Sequence, residues 1–212
     1  MMKEKTGIIL VSLLAMLLLL LCACGKMQRA EICIEQIVAK EGNGENTEQL
    51  FMKKAEELFD RIASDGQGKE ERHFFSINFT GSTPEMEVRI YRLTDGQWQH
   101  LYTPCDLTRS NVQLALMFDE IPREIDLYTS YPEELECHTP SDGEAIAGLG
   151  CFTAVLEKIT TDVQAGDEIP LVMQGFMEGD TVTTFSLDEF CCPAVLAERN
   201  YERLYAVTIY VR

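Results

Sequence analysis

His73-Phe74-Phe75-Ser76-Ile77-Asn78-Phe79, Gly81-Ser82-Thr83-Pro84 and Met86-Glu87-Val88-Arg89-Ile90-Tyr91-Arg92-Leu93 are the residues in which the fold of this chain is decided. Phe75, Ile77 and Phe79 occupy every second position, and so do Met86, Val88 and Ile90. A period of two puts each set on one face of an extended chain, the pattern of a half-buried strand. The Gly-Ser-Thr-Pro stretch between them carries the turn chemistry that ends one strand and starts the next. Just downstream, Asp95-Gly96 separates Val88–Leu93 from Trp98–Tyr102 and predicts a tight hairpin, because both residue types tolerate a positive φ.

The same period recurs on either side. Leu114, Leu116 and Phe118 alternate, and Ile125 and Leu127 follow after a break at Pro122. Ile169, Leu171 and Met173 alternate, and Gly179-Asp180 predicts a second hairpin into Thr181–Leu187. Cys151–Lys158 and Leu204–Val211 are expected to be extended, and Asp188–Asn200 to be a loop or short helix. Tyr131–Ala147, with Pro132, Pro140 and Gly143 among acidic residues, is expected to be a long surface loop. Toward the N-terminus the period changes. Phe51, Ala55, Leu58, Phe59 and Ile62 are spaced by threes and fours and share one helical face. Asn46 with Gln49 supplies a cap at its start, and Ser64-Asp65-Gly66 stops it. Glu31–Ala39, rich in Ile and Val, precedes the helix as a first strand, and Glu41–Asn46 is a turn-forming linker.

Roughly eight or nine short strands separated by turns, without alternating helices, exclude a doubly wound sheet. The expected fold is mainly β: an antiparallel β-sandwich with one N-terminal amphipathic helix. The charges on that helix are mixed rather than basic, so it is expected to pack on its own domain.

Ahead of the folded body lies a different kind of segment. Lys3 and Lys5 precede an apolar run, Ile8–Leu21, interrupted only by Ser12. That run is shorter than the roughly 18–20 apolar residues of a spanning helix and suits the apolar region of a signal peptide. It ends in Leu21-Cys22-Ala23-Cys24-Gly25, which resembles the lipobox of bacterial lipoproteins. The resemblance implies cleavage ahead of Cys24 and a diacylglyceryl group on its thiol. Each buried methylene would then contribute about 0.8 kcal/mol to anchoring. Cys22 departs mildly from the usual Ala or Ser but is still small. The body is similar to small lipoproteins of Gram-positive bacteria, a likeness that implies no activity and no site residues. The expected organisation is a signal peptide at 1–23; the lipidated cysteine, tether and first strand at 24–46; and the helix plus β-sandwich domain at 47–212. The expected location is the extracytoplasmic face of the cell membrane, with the membrane itself a partner through the lipid at Cys24.

Composition narrows the partners. The formal charge is −17, and removing Lys3, Lys5 and Glu4 makes the remainder one unit more acidic. Such a body repels phosphate backbones, which argues against nucleic acid. Beyond Cys24 the chain keeps Cys33, Cys105, Cys137, Cys151, Cys191 and Cys192. Their irregular spacing, in a domain large enough to build a core, favours free thiols over a disulfide framework.

Chemistry is sparsely marked. Gly-x-Ser-x-Gly, His-Glu-x-x-His and a phosphate loop are all missing, and the histidines number three: His73, His100 and His138. Cys137-His138 and Cys191-Cys192 are soft-ligand pairs without the gap that chelating loops use, and neighbours on a strand face opposite ways. The acidic pairs Asp119-Glu120, Glu133-Glu134 and Asp188-Glu189 are weighed as glycosidase carboxylates, and Asp162, Asp167 and Glu168 around Gly166 as calcium ligands. No catalytic residue, metal ligand or cofactor is assigned. One binding feature stands out: Trp98 and Tyr102, four apart on a strand and so on one side, with Tyr91 across the turn. Such a row could stack on sugar rings, against the alternative that Trp98 packs inside. The function expected is a non-catalytic binding or interaction module at the cell surface with a protein or glycan ligand. The alternatives are an envelope hydrolase acting on glycan or peptide and an accessory subunit of a membrane complex.

Overall fold

The computed structural model describes residues 30–39, 46–62, 70–81, 84–118, 125–130, 133–138 (backbone only), 150–178, 183–199 and 201–212. The signal segment, Cys24 and most of the Glu41–Asn46 linker lie outside the described residues. Among those described, eleven strands form two antiparallel sheets that face each other in a β-sandwich-like arrangement. The six-stranded sheet contains β1 (Ala30–Gln36), β2 (Glu71–Thr80), β5 (Asn111–Phe118), β6 (Ile125–Ser130), β7 (Glu133–His138) and β9 (Lys158–Val163), ordered β7-β6-β5-β2-β1-β9. The five-stranded sheet contains β3 (Met86–Thr94), β4 (Gln97–Leu107), β8 (Gly150–Val155), β10 (Glu168–Met177) and β11 (Arg203–Val211), ordered β4-β3-β11-β10-β8. Among the described residues no helix is long and apolar enough to cross a membrane.

The alternating residues meet between the sheets. Ile32, Ile34, Phe75, Ile77, Leu114 and Leu116 come from one side, and Met86, Val88, Ile90, Leu171, Val207 and Ile209 from the other. All are fully buried, and each contributes about 1.5–3 kcal/mol by leaving water. The β3–β4 hairpin turns at Asp95 and Gly96 with φ of 51° and 74°, the positive values that this dipeptide accommodates.

Part of each outer face is covered as well. Over most of their length strands β5 and β11 are buried at both parities, which a strand with one wet face would not be. On the six-stranded sheet the outward residues Phe74, Ala115, Met117 and Tyr128 meet α1 (Thr47–Ile62) through Phe51, Met52, Ala55 and Phe59. Gln49 N–H donates to Asn46 Oδ1 at 2.8 Å and caps the helix. Glu48 in the first turn and Arg61 in the last suit the helix dipole. Ile62 runs off the end of the sheet and is exposed. On the five-stranded sheet, Phe185, the 3₁₀ segment that follows it (Leu187–Cys191) and α2 (Pro193–Ala197), through Leu196, cover Tyr91, Met173, Leu204 and Ala206.

Three expectations are corrected. Glu133–His138 is the edge strand β7 rather than loop, because its backbone pairs with β6 whatever its acidity. Within Thr181–Leu187 the described residues, 183–187, are not the second arm of a hairpin: β10 pairs with β8 and β11, and residues 183–186 form no strand. The strand expected over Cys151–Lys158 divides at Leu156-Glu157, where the chain leaves one sheet for the other. Leu156 N–H donates to Leu171 O and Gln36 N–H to Glu157 O, both at 2.8 Å, tying the corner to both sheets.

Candidate functional site

The outward face of the six-stranded sheet is divided by residue type. Along β2 the outward positions change from Phe74 to Ser76 and Asn78. On β5 they run Asn111, Gln113, Ala115 and Met117. The register sets Ser76 opposite Gln113 and Asn78 opposite Asn111, so like stands beside like. The apolar half lies under α1. The polar half continues past the start of the helix and lines an open depression of about 730 Å³, walled by Asn46, Thr47, Glu48, Arg109 and Ser130. A smaller recess of about 220 Å³ continues beyond Glu48 and Ser76 along Glu35–Val38.

The floor is preorganised. Ser76 and Gln113 are buried. Asn78 Nδ2 donates to Ser76 Oγ at 3.2 Å, and Gln113 N–H donates to Ser130 Oγ at 2.8 Å. Amides and hydroxyls both donate and accept, so the lining suits a ligand rich in the same groups. These residues escape a motif search. Their signal is a polar set at alternate positions of strands whose other parity is apolar.

A second polar cluster ties the two sheets together. Thr153 Oγ1 donates to Glu71 Oε2 at 2.5 Å, and Gln174 Nε2 donates to Thr153 Oγ1 at 3.5 Å. His73 Nε2 lies 3.7 Å from the same Glu71 oxygen, and its ring meets Phe118 edge-on at 5.8 Å. The neighbouring His73 imidazole, aided by the hydrogen bond from Thr153, holds the Glu71 carboxyl below its ordinary value against the opposing effect of burial. This order is wrong for nucleophilic catalysis. A triad places the imidazole between acid and nucleophile, whereas here the carboxylate stands between His73 and the Thr153 hydroxyl. The arrangement links the sheets and does not activate a hydroxyl.

The aromatic row is not formed. An irregularity in β4 leaves Leu101 as an extra residue, so His100 stands opposite Tyr91 while Tyr102 stands opposite Ile90. Partners across an antiparallel ladder share a face. Tyr91 belongs to the outer cluster and Ile90 to the core, so the bulge moves Tyr102 off the side that Trp98 occupies. Tyr102 is 37% exposed. Trp98 is half-buried, stacked on Phe190 with ring centroids 5.0 Å apart, and its indole N–H donates to Phe190 O at 2.8 Å. It clamps the 3₁₀ segment to the sheet.

Other candidates are dispersed or already engaged. His100 is exposed and bonds Thr103 Oγ1 at 3.0 Å. Asp167 accepts from Gln164 N–H at 2.8 Å, Glu168 accepts from the Thr208 hydroxyl at 2.7 Å, and Asp162 lies on the edge strand β9. Glu189 is paired with Arg199. Asp119 and Glu120 lie outside the described residues, as do the side chains of Glu133, Glu134, Cys137 and His138. Cys33, Cys191 and Cys192 carry free thiols. Compared with protein-family models, with curated proteins and with solved structures, the chain matches none.

Proposed function

We propose that this chain is a lipid-anchored, non-catalytic binding module of the extracytoplasmic membrane face. In this reading a β-sandwich with an amphipathic helix presents its polar groove to a hydroxyl-rich ligand of the glycan type. The observation that carries it is the open depression of about 730 Å³ with a floor of Ser76, Asn78, Asn111 and Gln113. Its size falls in the range of small-ligand sites, and part of its floor, Asn78 with Ser76, is hydrogen-bonded before a ligand arrives, which lowers the ordering cost of binding. The acidic body, at −17 overall, favours a neutral ligand over an anionic one. The lipobox-like Leu21–Gly25 supports the anchor.

Titration with soluble N-acetylated oligosaccharides, followed by amide NMR, is expected to shift resonances of Asn78, Asn111 and Gln113 first. The double substitution Asn78→Leu/Gln113→Leu should weaken binding by about tenfold or more, each lost hydrogen bond being worth about 0.5–1.5 kcal/mol. Shifts confined to the opposite sheet would reject the groove as the site.

The anchor has a separate test. Cys24→Ser is expected to yield an unacylated, unprocessed precursor by intact mass. A normally processed, lipid-bearing product from that variant would remove Cys24 from its role.

A further inference from the structure

Cys191 and Cys192 are adjacent in sequence, and on a strand their side chains would point to opposite faces. They do not lie on a strand. Cys191 ends the 3₁₀ segment and Cys192 precedes α2 with φ −125° and ψ 58°, a backbone geometry belonging to neither helix nor strand. That break brings the two sulfurs to 3.6 Å, with both residues exposed. A disulfide would need a separation of about 2.05 Å. Two bonds of about 2.3 Å, the usual length of a metal–thiolate bond, span 3.6 Å when they meet at an angle of about 103°. The sulfurs therefore stand too far apart to be bonded, at the bite of a shared tetrahedral or pyramidal centre.

The pair is held in place from both sides. Cys192 N–H donates to Glu189 O at 2.8 Å, and Cys192 O accepts from Val195 and Leu196 N–H at 3.0 and 3.3 Å. The Cys191 thiol donates to Asp188 O at 3.0 Å. Glu189 pairs with Arg199, and Phe190, next to Cys191, is fixed on Trp98. A zinc ion would ask the protein for more ligands. Among the described residues no group of three or more His, Cys, Asp or Glu side chains is placed to hold a metal ion.

We propose that Cys191 and Cys192 form a two-thiol chelate for a soft, thiophilic centre that brings its remaining ligands with it, trivalent organoarsenic being the class this bite completes. With an arsenic oxide R–As=O, two S–H bonds and the As=O bond break. Two As–S bonds form, one water leaves, and arsenic stays trivalent. The site lies on the five-stranded sheet's cover, apart from the polar groove on the other sheet, and does not depend on what that groove binds.

The probe is phenylarsine oxide added to the reduced, processed protein that begins at the acylated Cys24, so that Cys22 and Cys24 offer no competing thiol pair. One equivalent is expected to bind, read by intact mass, and to change the emission of Trp98, the only tryptophan, through Phe190. Cys191→Ser and Cys192→Ser should each weaken binding by about 100-fold or more, because a single thiol loses the effective concentration of its neighbour. Both positions are exposed, so the thermal midpoints should stay at the parent value. Cys151→Ser, the exposed control, should bind as the parent does. Parent-level affinity in either Cys191→Ser or Cys192→Ser, or an unchanged Trp98 emission at saturation, would overturn the assignment.

Discussion

Phe59→Ala is expected to lower the free energy of unfolding by about 3–5 kcal/mol, the range for emptying a phenylalanine site in a core. Phe59 is fully buried, among Phe51, Met52, Ala55, Phe74, Ala115 and Met117. Its ring also lies under the Arg72 guanidinium, 5.9 Å from centroid to charge, and Arg72 is in turn paired with Asp60 and Glu70 at 2.7 Å each. The strand ladder fixes the sheet's backbone, so the space left is filled only in part and the helix loses its main hold. Urea denaturation followed by circular dichroism measures the loss. Undocking of α1 would also reduce the denaturant slope, because less surface remains to be exposed. A change below about 1 kcal/mol would mean that the cluster collapses around the gap. Since Asn46, Thr47 and Glu48 wall the groove, the same variant should weaken any ligand held there.

Gly175→Val tests the opposite error, too much volume. Gly175 lies in β10, and a Cβ there would come within 2.8 Å of Phe185 Cε1 and 3.1 Å of the Tyr201 ring. Neither ring can withdraw. Tyr201 is tied through its hydroxyl to Thr183 O at 2.9 Å, and Phe185 is wedged edge-on between Tyr201 at 5.5 Å and Phe152 at 5.0 Å. Overpacking of this kind costs about 1–3 kcal/mol, and a branched side chain at 2.8 Å belongs at the top of that range. The strain is relieved most directly by lifting residues 183–201 off the sheet. The loss should therefore come with a red shift of Trp98 emission as its stack on Phe190 opens. Loss of stability with the emission maximum unmoved would place the strain within the sheet instead.

What was legible in the sequence was what local chemistry controls. Period two in Phe75–Phe79, Met86–Ile90 and Leu114–Phe118 marks real strands with those residues inward, because a side chain's face follows from its own backbone. The Asp95-Gly96 turn is legible for the same reason: two positive φ angles select those residues on the spot. What failed to show depended on partners distant in sequence. Nothing in Glu133–His138 favours a strand; pairing with β6 makes it one. The bulge in β4 that separates Tyr102 from Trp98, and the one in β10 that turns both Leu171 and Val172 into the core, shift the parity by one residue without a local signature.

The candidate sites follow the same division. Ser76, Asn78, Asn111 and Gln113 were visible only as polar residues between apolar ones until the register set β2 beside β5 and the helix stopped short of them. Cys191 and Cys192 were visible as neighbours, but their 3.6 Å bite depends on one backbone break held by Trp98, nearly a hundred positions earlier. The sequence by itself determined the class of fold, the helix face and the acidic character, since these rest on periodicity and composition. The tertiary structure decided which strands adjoin, which faces stay open and where donors converge. Those are properties of long-range backbone pairing, whose hydrogen bonds form between groups that every residue carries and no side chain spells out.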